Sequence, residues 1–139
     1  MRNQHENNLL VELQTNPISF NEEKKGYNLL QEFLTGRLAV ESLIPLLNSN
    51  NSQIHEPAIW IASELGNKCM SLIPTIISLL QTVPTRHVKY YALECITLCI
   101  NEDTLGWGQH LVDAQEDEDE LIRRHSSKLL SNLRSTYSL

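Results

Sequence analysis

Residues 54–65 read IHEPAIWIASEL, residues 88–99 read VKYYALECITLC, and residues 122–133 read IRRHSSKLLSNL. Each stretch begins 34 residues after the one before it. At that offset Ile54 aligns with Val88 and Ile122, Ala58 with Ala92 and Ser126, and Ile61 with Cys95 and Leu129. Ala62 then matches Ile96 and Leu130, and Leu65 matches Cys99 and Leu133. Within each stretch these residues trace one face of an α-helix, because side chains three, four, seven, eight and eleven positions apart share a face. The small residue at the second position lets a neighbouring helix come close. A period of this length marks stacked helical repeats.

A second apolar segment precedes each of these helices: Ser42–Asn48 (SLIPLLN), Ser71–Gln81 (SLIPTIISLLQ) and Leu105–Gln115 (LGWGQHLVDAQ). The two glycines of the third weaken its first turn. The connectors NSNNSQ (48–53) and TVPTR (82–86) carry loop chemistry. Upstream, Glu6–Gln14 and Glu22–Thr35 form a further pair, with Gly26, Leu30 and Phe33 in the small and apolar slots but two residues out of register, as befits a terminal cap. The expectation is one domain over 1–139: a capping pair at 5–36 and repeats at about 40–66, 71–101 and 105–134. This is an all-α chain of about eight helices in four antiparallel pairs, a short α-solenoid.

Composition agrees. The chain has 139 residues, 41% hydrophobic and 20% charged, with only five glycines and five prolines against 23 leucines. That fits one globular, helix-rich domain. No apolar run reaches the ~18 residues of a membrane span, and MRNQHENN has no signal-peptide pattern. Three cysteines make a disulfide framework unexpected and point to a reducing, cytoplasmic setting.

These segments resemble the HEAT-repeat family of α-solenoids over about residues 40–133. SLIPLL and SLIPTIISLL stand as first helices, with Pro45 and Pro74 between apolar residues as that family often has them. IHEPAIWIASELG and HVKYYALECITLC stand as second helices, whose Val-Arg-x-x-Ala pattern is met loosely by Val88–Ala92 and Ile122–Ser126. His55 or Glu56 stands where Arg is usual, and Ser126 replaces Ala.

Catalytic chemistry finds little footing. HEAT-type hydroxylases bind two irons through His-Glu pairs in several repeats, and His55-Glu56 matches one such pair. The equivalent residues, Lys89-Tyr90 and Arg123-Arg124, cannot ligate iron at neutral pH. Cys95 and Cys99 fall on core positions, where small apolar cysteine is at home. Cys69 falls in the loop after Gly66 with no evident partner. The five histidines lack metal-binding spacing. A calcium loop starting at Asp113 fails, with Glu118 at the glycine position and Arg124 at the last ligand. No phosphate loop or nucleophile elbow is present. No catalytic residue, cofactor or metal is therefore expected, and the chain reads as a non-enzyme.

Charge is more informative. The net charge is −6, yet Glu102, Asp103, Asp113, Glu116, Asp117, Glu118, Asp119 and Glu120 put −8 into residues 102–120, which hold no Lys or Arg. Asp119 and Glu120 suit the start of the next helix. One or two acids would serve that purpose, so the rest invite a basic partner and repel nucleic acid. Trp60 and Tyr90 lie off the apolar stripe with Glu56 and Glu94, on the face that solenoids use for proteins. Trp107, between two glycines, stands beside the acidic stretch.

The expected protein-binding residues are thus Glu56, Trp60, Tyr90, Glu94, Trp107, Asp113, Glu116, Asp117, Glu118, Asp119 and Glu120. A small, acidic, HEAT-like chain without catalytic groups is similar to bacterial immunity proteins, cytoplasmic inhibitors of toxin domains. That resemblance implies a basic, nuclease-type toxin as partner and no membrane. A repeat scaffold in a larger assembly is the alternative, and a HEAT-type enzyme a more distant one. Reversing Asp117, Glu118 and Asp119 to Lys is expected to slow association without unfolding the domain.

Overall fold

A computed structural model describes residues 4–82 and 84–137, with side chains from Asn8 onward; residues 1–3, 83 and 138–139 of the expected domain lie outside the described residues. Every regular element among the described residues is helical. In chain order these are α1 (Gln4–Thr15), α2 (Pro17–Glu22), α3 (Gly26–Leu34), α4 (Ile44–Leu47), α5 (Ser52–Glu64), α6 (Ile73–Leu80), α7 (Arg86–Leu98), α8 (Gln109–Ala114) and α9 (Glu120–Arg134). Tighter 3-10 turns at Val40–Leu43, Gly66–Leu72 and Leu105–Gly108 lead into α4, α6 and α8. No described helix is long and apolar enough to cross a membrane.

The 34-residue period survives into the backbone. Helices α5, α7 and α9 begin at residues 52, 86 and 120, each one residue after its N-cap: Asn51, Thr85 and Asp119. The Asn51 side chain accepts a hydrogen bond from the Gln53 N–H (2.9 Å), and Asp119 accepts one from Leu121 (2.9 Å). These two side chains each satisfy an amide that the first helical turn leaves without a partner, a bond that Thr85 does not make.

Each short helix packs on the long helix that follows it, α4 on α5, α6 on α7 and α8 on α9. The long helices contact one another in chain order, α5 with α7 and α7 with α9. The aligned apolar residues form the core between them. Ile54, Val88 and Ile122 are buried, as are Leu65, Cys99 and Leu133; of the aligned set only Leu129 is half-exposed. Burying such a Leu or Ile contributes about 1.5–3 kcal/mol. Ala58, Ala92 and Ser126 are all fully buried. Serine is tolerated there because α8 ends in a tight turn: the Gln115 N–H reaches back to Val112, and the Ser126 hydroxyl donates to the Leu111 carbonyl.

Three departures from the sequence reading have local causes. The stretch 22–35 is not one helix, so the cap holds three helices instead of two. Helix α2 ends where Lys24 takes a left-handed backbone (φ 57°), with the Lys25 N–H on the Phe20 carbonyl (3.1 Å) and the Lys24 N–H on Asn21 (3.1 Å). This Schellman closure normally carries glycine; a lysine in its place hides the break from the sequence. The first helices are also shorter than their apolar segments. Pro45 and Pro74 are the second residues of α4 and α6, within the first turn where a ring with no N–H is tolerated, and the residues ahead of these helices wind as 3-10 turns.

Cys69 is the third departure. It lies in the 3-10 turn Gly66–Leu72, which Gly66 enters at φ 64°, where its side chain is buried, and its Sγ is 3.5 Å from Cys99 Sγ. Contact with Cys95, together with burial, pushes the Cys69 thiol up to about 12; the Cys69 contact and burial push Cys99 up as well. All three cysteines are free, buried core thiols.

Pro57 stands inside α5 rather than at its start. Lacking an N–H, it leaves the Gln53 carbonyl without its helical donor. The Asn21 side chain of α2 supplies one across the packing interface (Nδ2 to O, 3.3 Å). The sequence fault thereby becomes a tie between the cap and the first repeat.

Candidate functional site

The acidic stretch does two different jobs. Asp119 caps α9 and receives Arg86 through two nitrogens, Nε at 2.6 Å and Nη2 at 3.3 Å. Asp117 accepts from Lys89 Nζ (2.9 Å) and from the Asp119 backbone N–H (2.8 Å). Glu120 pairs with Arg124 (2.8 Å) one turn along α9. The Arg123 guanidinium closes the turn by donating to the carbonyls of Asp117 (2.7 Å) and Glu118 (3.0 Å).

The Arg86 and Lys89 contacts tie the start of α9 and the turn before it to α7. The Arg86 guanidinium holds the Asp119 carboxyl below its usual range. For Asp117, burial alone would raise the pKa, but the Asp119 amide and the Lys89 ammonium together win and lower it. Reversing Asp117 and Asp119 to Lys would therefore strike the α7–α9 junction, so those two residues are poor reporters of binding.

Five acids remain. Glu102, Asp103, Asp113, Glu116 and Glu118 are exposed and have no cationic partner among the described residues. Asp113 accepts only from the neutral Gln109 amide (2.8 Å). They flank the turn Leu105–Gly108 and α8, which laid end to end reach about 17 Å. That is roughly two Debye lengths at physiological salt, so an approaching cation feels chiefly the acids nearest to it and the whole set acts together only at low salt. Trp107 stands in that turn, half-buried and packed against the core.

The other expected residues divide between two grooves. In the first, Tyr90 stacks on His125 of α9 (centroids 3.7 Å apart, planes 10° from parallel), and Glu94 Oε1 is 3.4 Å from His125 Nε2. Burial lowers the His125 pKa, against an opposing pull from Glu94. Arg86, Arg124 and Lys128 line the same cavity of about 830 Å³ together with Glu118, Asp119 and Glu120, so its charges are mixed.

The second groove, about 500 Å³, lies where the α2–α3 turn meets α5 and α7. Glu56 and Trp60 line it with Tyr27, Pro57 and Tyr91. Trp60 is half-buried and its ring lies over Gly26, with Cζ3 at 3.7 Å from where a Cβ would stand. Tyr27 is 62% exposed. Glu56 pairs with His87 Nδ1 (3.0 Å), whereas its neighbour His55 donates from Nε2 to the Ser49 carbonyl (2.5 Å). The His55-Glu56 dipeptide thus serves two unrelated contacts. Among the described residues no three His, Cys, Asp or Glu side chains cluster as a metal site would require.

No known family matches. Neither does any curated protein or solved structure. The surface is therefore read from its own chemistry.

Sequence reasoning missed Tyr27, Tyr91 and His125. Tyr91 and His125 hold equivalent positions one repeat apart, 34 residues, and share that position with Pro57. Reading the non-core column of the repeat, as well as the apolar one, would have found them.

Proposed function

We propose that this chain is a short HEAT-like α-solenoid of antiparallel helix pairs that works by binding one protein with a basic surface. In its most specific form it is a cytoplasmic immunity protein that neutralises a nuclease-type toxin. The observation that carries the reading is the set of five exposed carboxylates left over after Asp117, Asp119 and Glu120 have been paired within the fold. A helix start needs one or two acids, and α9 already has Asp119 and Glu120. The remainder form no ion pair among the described residues, repel their acidic neighbours, and produce a field suited to a cationic partner. Such an inhibitor competes with nucleic acid for a toxin's basic cleft by presenting carboxylates where phosphates would bind.

Capture from a lysate of the native cell, washed at stepped salt and read by mass spectrometry, tests this. One stoichiometric basic protein, released progressively as salt rises, is the expected result. Several acidic or neutral partners with no salt dependence would overturn it.

A further inference from the structure

We infer that the groove between the α2–α3 turn and helices α5 and α7 receives an arginine or lysine side chain of the partner. The inference rests on the basic-partner reading above and adds a second, separate contact to it. Three aromatic rings, Tyr27, Trp60 and Tyr91, line this groove, and Glu56 adds a carboxylate whose side chain is 50% exposed. Aromatic faces carry negative potential, so rings beside a carboxylate are complementary to a cation, and a guanidinium can also stack on them. Trp60 is held in place by its passage over Gly26, and Tyr91 by an edge-on contact with Tyr90 (5.5 Å between centroids). Two of the three rings are therefore held before the partner arrives, which lowers the ordering cost of binding.

Lys24 also lines the groove, on its left-handed backbone and without an ion pair among the described residues. Its ammonium opposes an incoming cation and would favour an anion, which gives the inference a sign that can be tested.

The chain has two tryptophans, Trp60 in the groove and Trp107 beside the acidic surface, so nitrogen-15 labelling gives one indole N–H signal for each location. The probe is the blocked peptide acetyl-(Gly-Arg)3-amide, titrated at low salt beside its uncharged citrulline counterpart. The expected result is a saturable shift of the Trp60 signal with the arginine peptide and not with the citrulline peptide. Glu56→Gln weakens that binding at least threefold, and Lys24→Gln strengthens it. If the Trp107 signal alone moves, the groove inference fails while the acidic-surface reading stands. If neither signal moves with the arginine peptide, both fail. Equal shifts of Trp60 with the two peptides, or weaker binding in Lys24→Gln, would assign the groove to an uncharged or anionic chain and overturn the inference.

Discussion

Ser126→Ala is the sharpest test of the packing. Position 126 aligns with Ala58 and Ala92, and alanine is the better helix former by roughly 0.5 kcal/mol. By repeat logic alone the substitution should be neutral or stabilising. The structure gives the opposite sign. Ser126 is fully buried and its hydroxyl donates to the Leu111 carbonyl, whose usual helical donor, the Gln115 N–H, is turned to Val112 instead. Alanine fits the space but strands that carbonyl, at about 1–3 kcal/mol for a buried group left unsatisfied. Net of propensity, the loss is about 0.5–2.5 kcal/mol. For a chain of this size that corresponds to a fall in Tm of roughly 2–10 °C. Urea denaturation monitored by circular dichroism measures it directly, with the midpoint moving and the m-value unchanged. A midpoint equal to or above the wild-type value would refute the claim that this serine is there for its hydroxyl.

Lys24→Gly should stabilise by about 0.5 kcal/mol, since relief of left-handed strain, roughly 1–2 kcal/mol, exceeds the added chain entropy of glycine; the urea midpoint reads the sign. Stability should fall on acidification in two steps. His125 has a lowered pKa in the fold, so it takes up its proton less readily there than in the unfolded chain; the first loss begins as pH drops below the ordinary histidine value of about 6.5. Asp117 and Asp119, also lowered, give a second loss as pH falls below 3.8 towards their folded values. His125→Phe should flatten the first step in pH-dependent melting and leave the second. The three thiols should resist a thiol reagent in the native protein and react together on unfolding, because each is at most 2% exposed and held protonated or buried; rapid native labelling of any one would contradict the core assignment.

Much of the fold was legible because a repeat states the same fact three times. The aligned residues that set the helical face are core residues except Leu129, and the starts of α5, α7 and α9 keep the 34-residue spacing. What was not legible depends on pairs between repeats. The Cys69–Cys99 contact, the Asp119–Arg86 pair and the Tyr90–His125 stack join residues 30, 33 and 35 apart. No local pattern announces them. Yet neighbouring long helices bring residues about one repeat apart face to face, so charges and rings at offsets near 34 were the signal to follow. Applied to Arg86, that rule would have shown Asp119 to be paired within the fold, whereas Lys89 and Asp117, 28 residues apart, fall outside it. The break at Lys24 had no comparable signal, since lysine rarely takes the conformation found there.

The most direct measurement is the association rate of the captured basic partner with the wild-type chain and with a variant carrying Glu102→Lys, Asp113→Lys, Glu116→Lys and Glu118→Lys. None of these side chains has a cationic partner to lose, so Tm should be little changed. At low salt the variant should associate at least tenfold more slowly, and the difference should shrink as salt rises. Equal rates for the two proteins across the salt series would contradict the account.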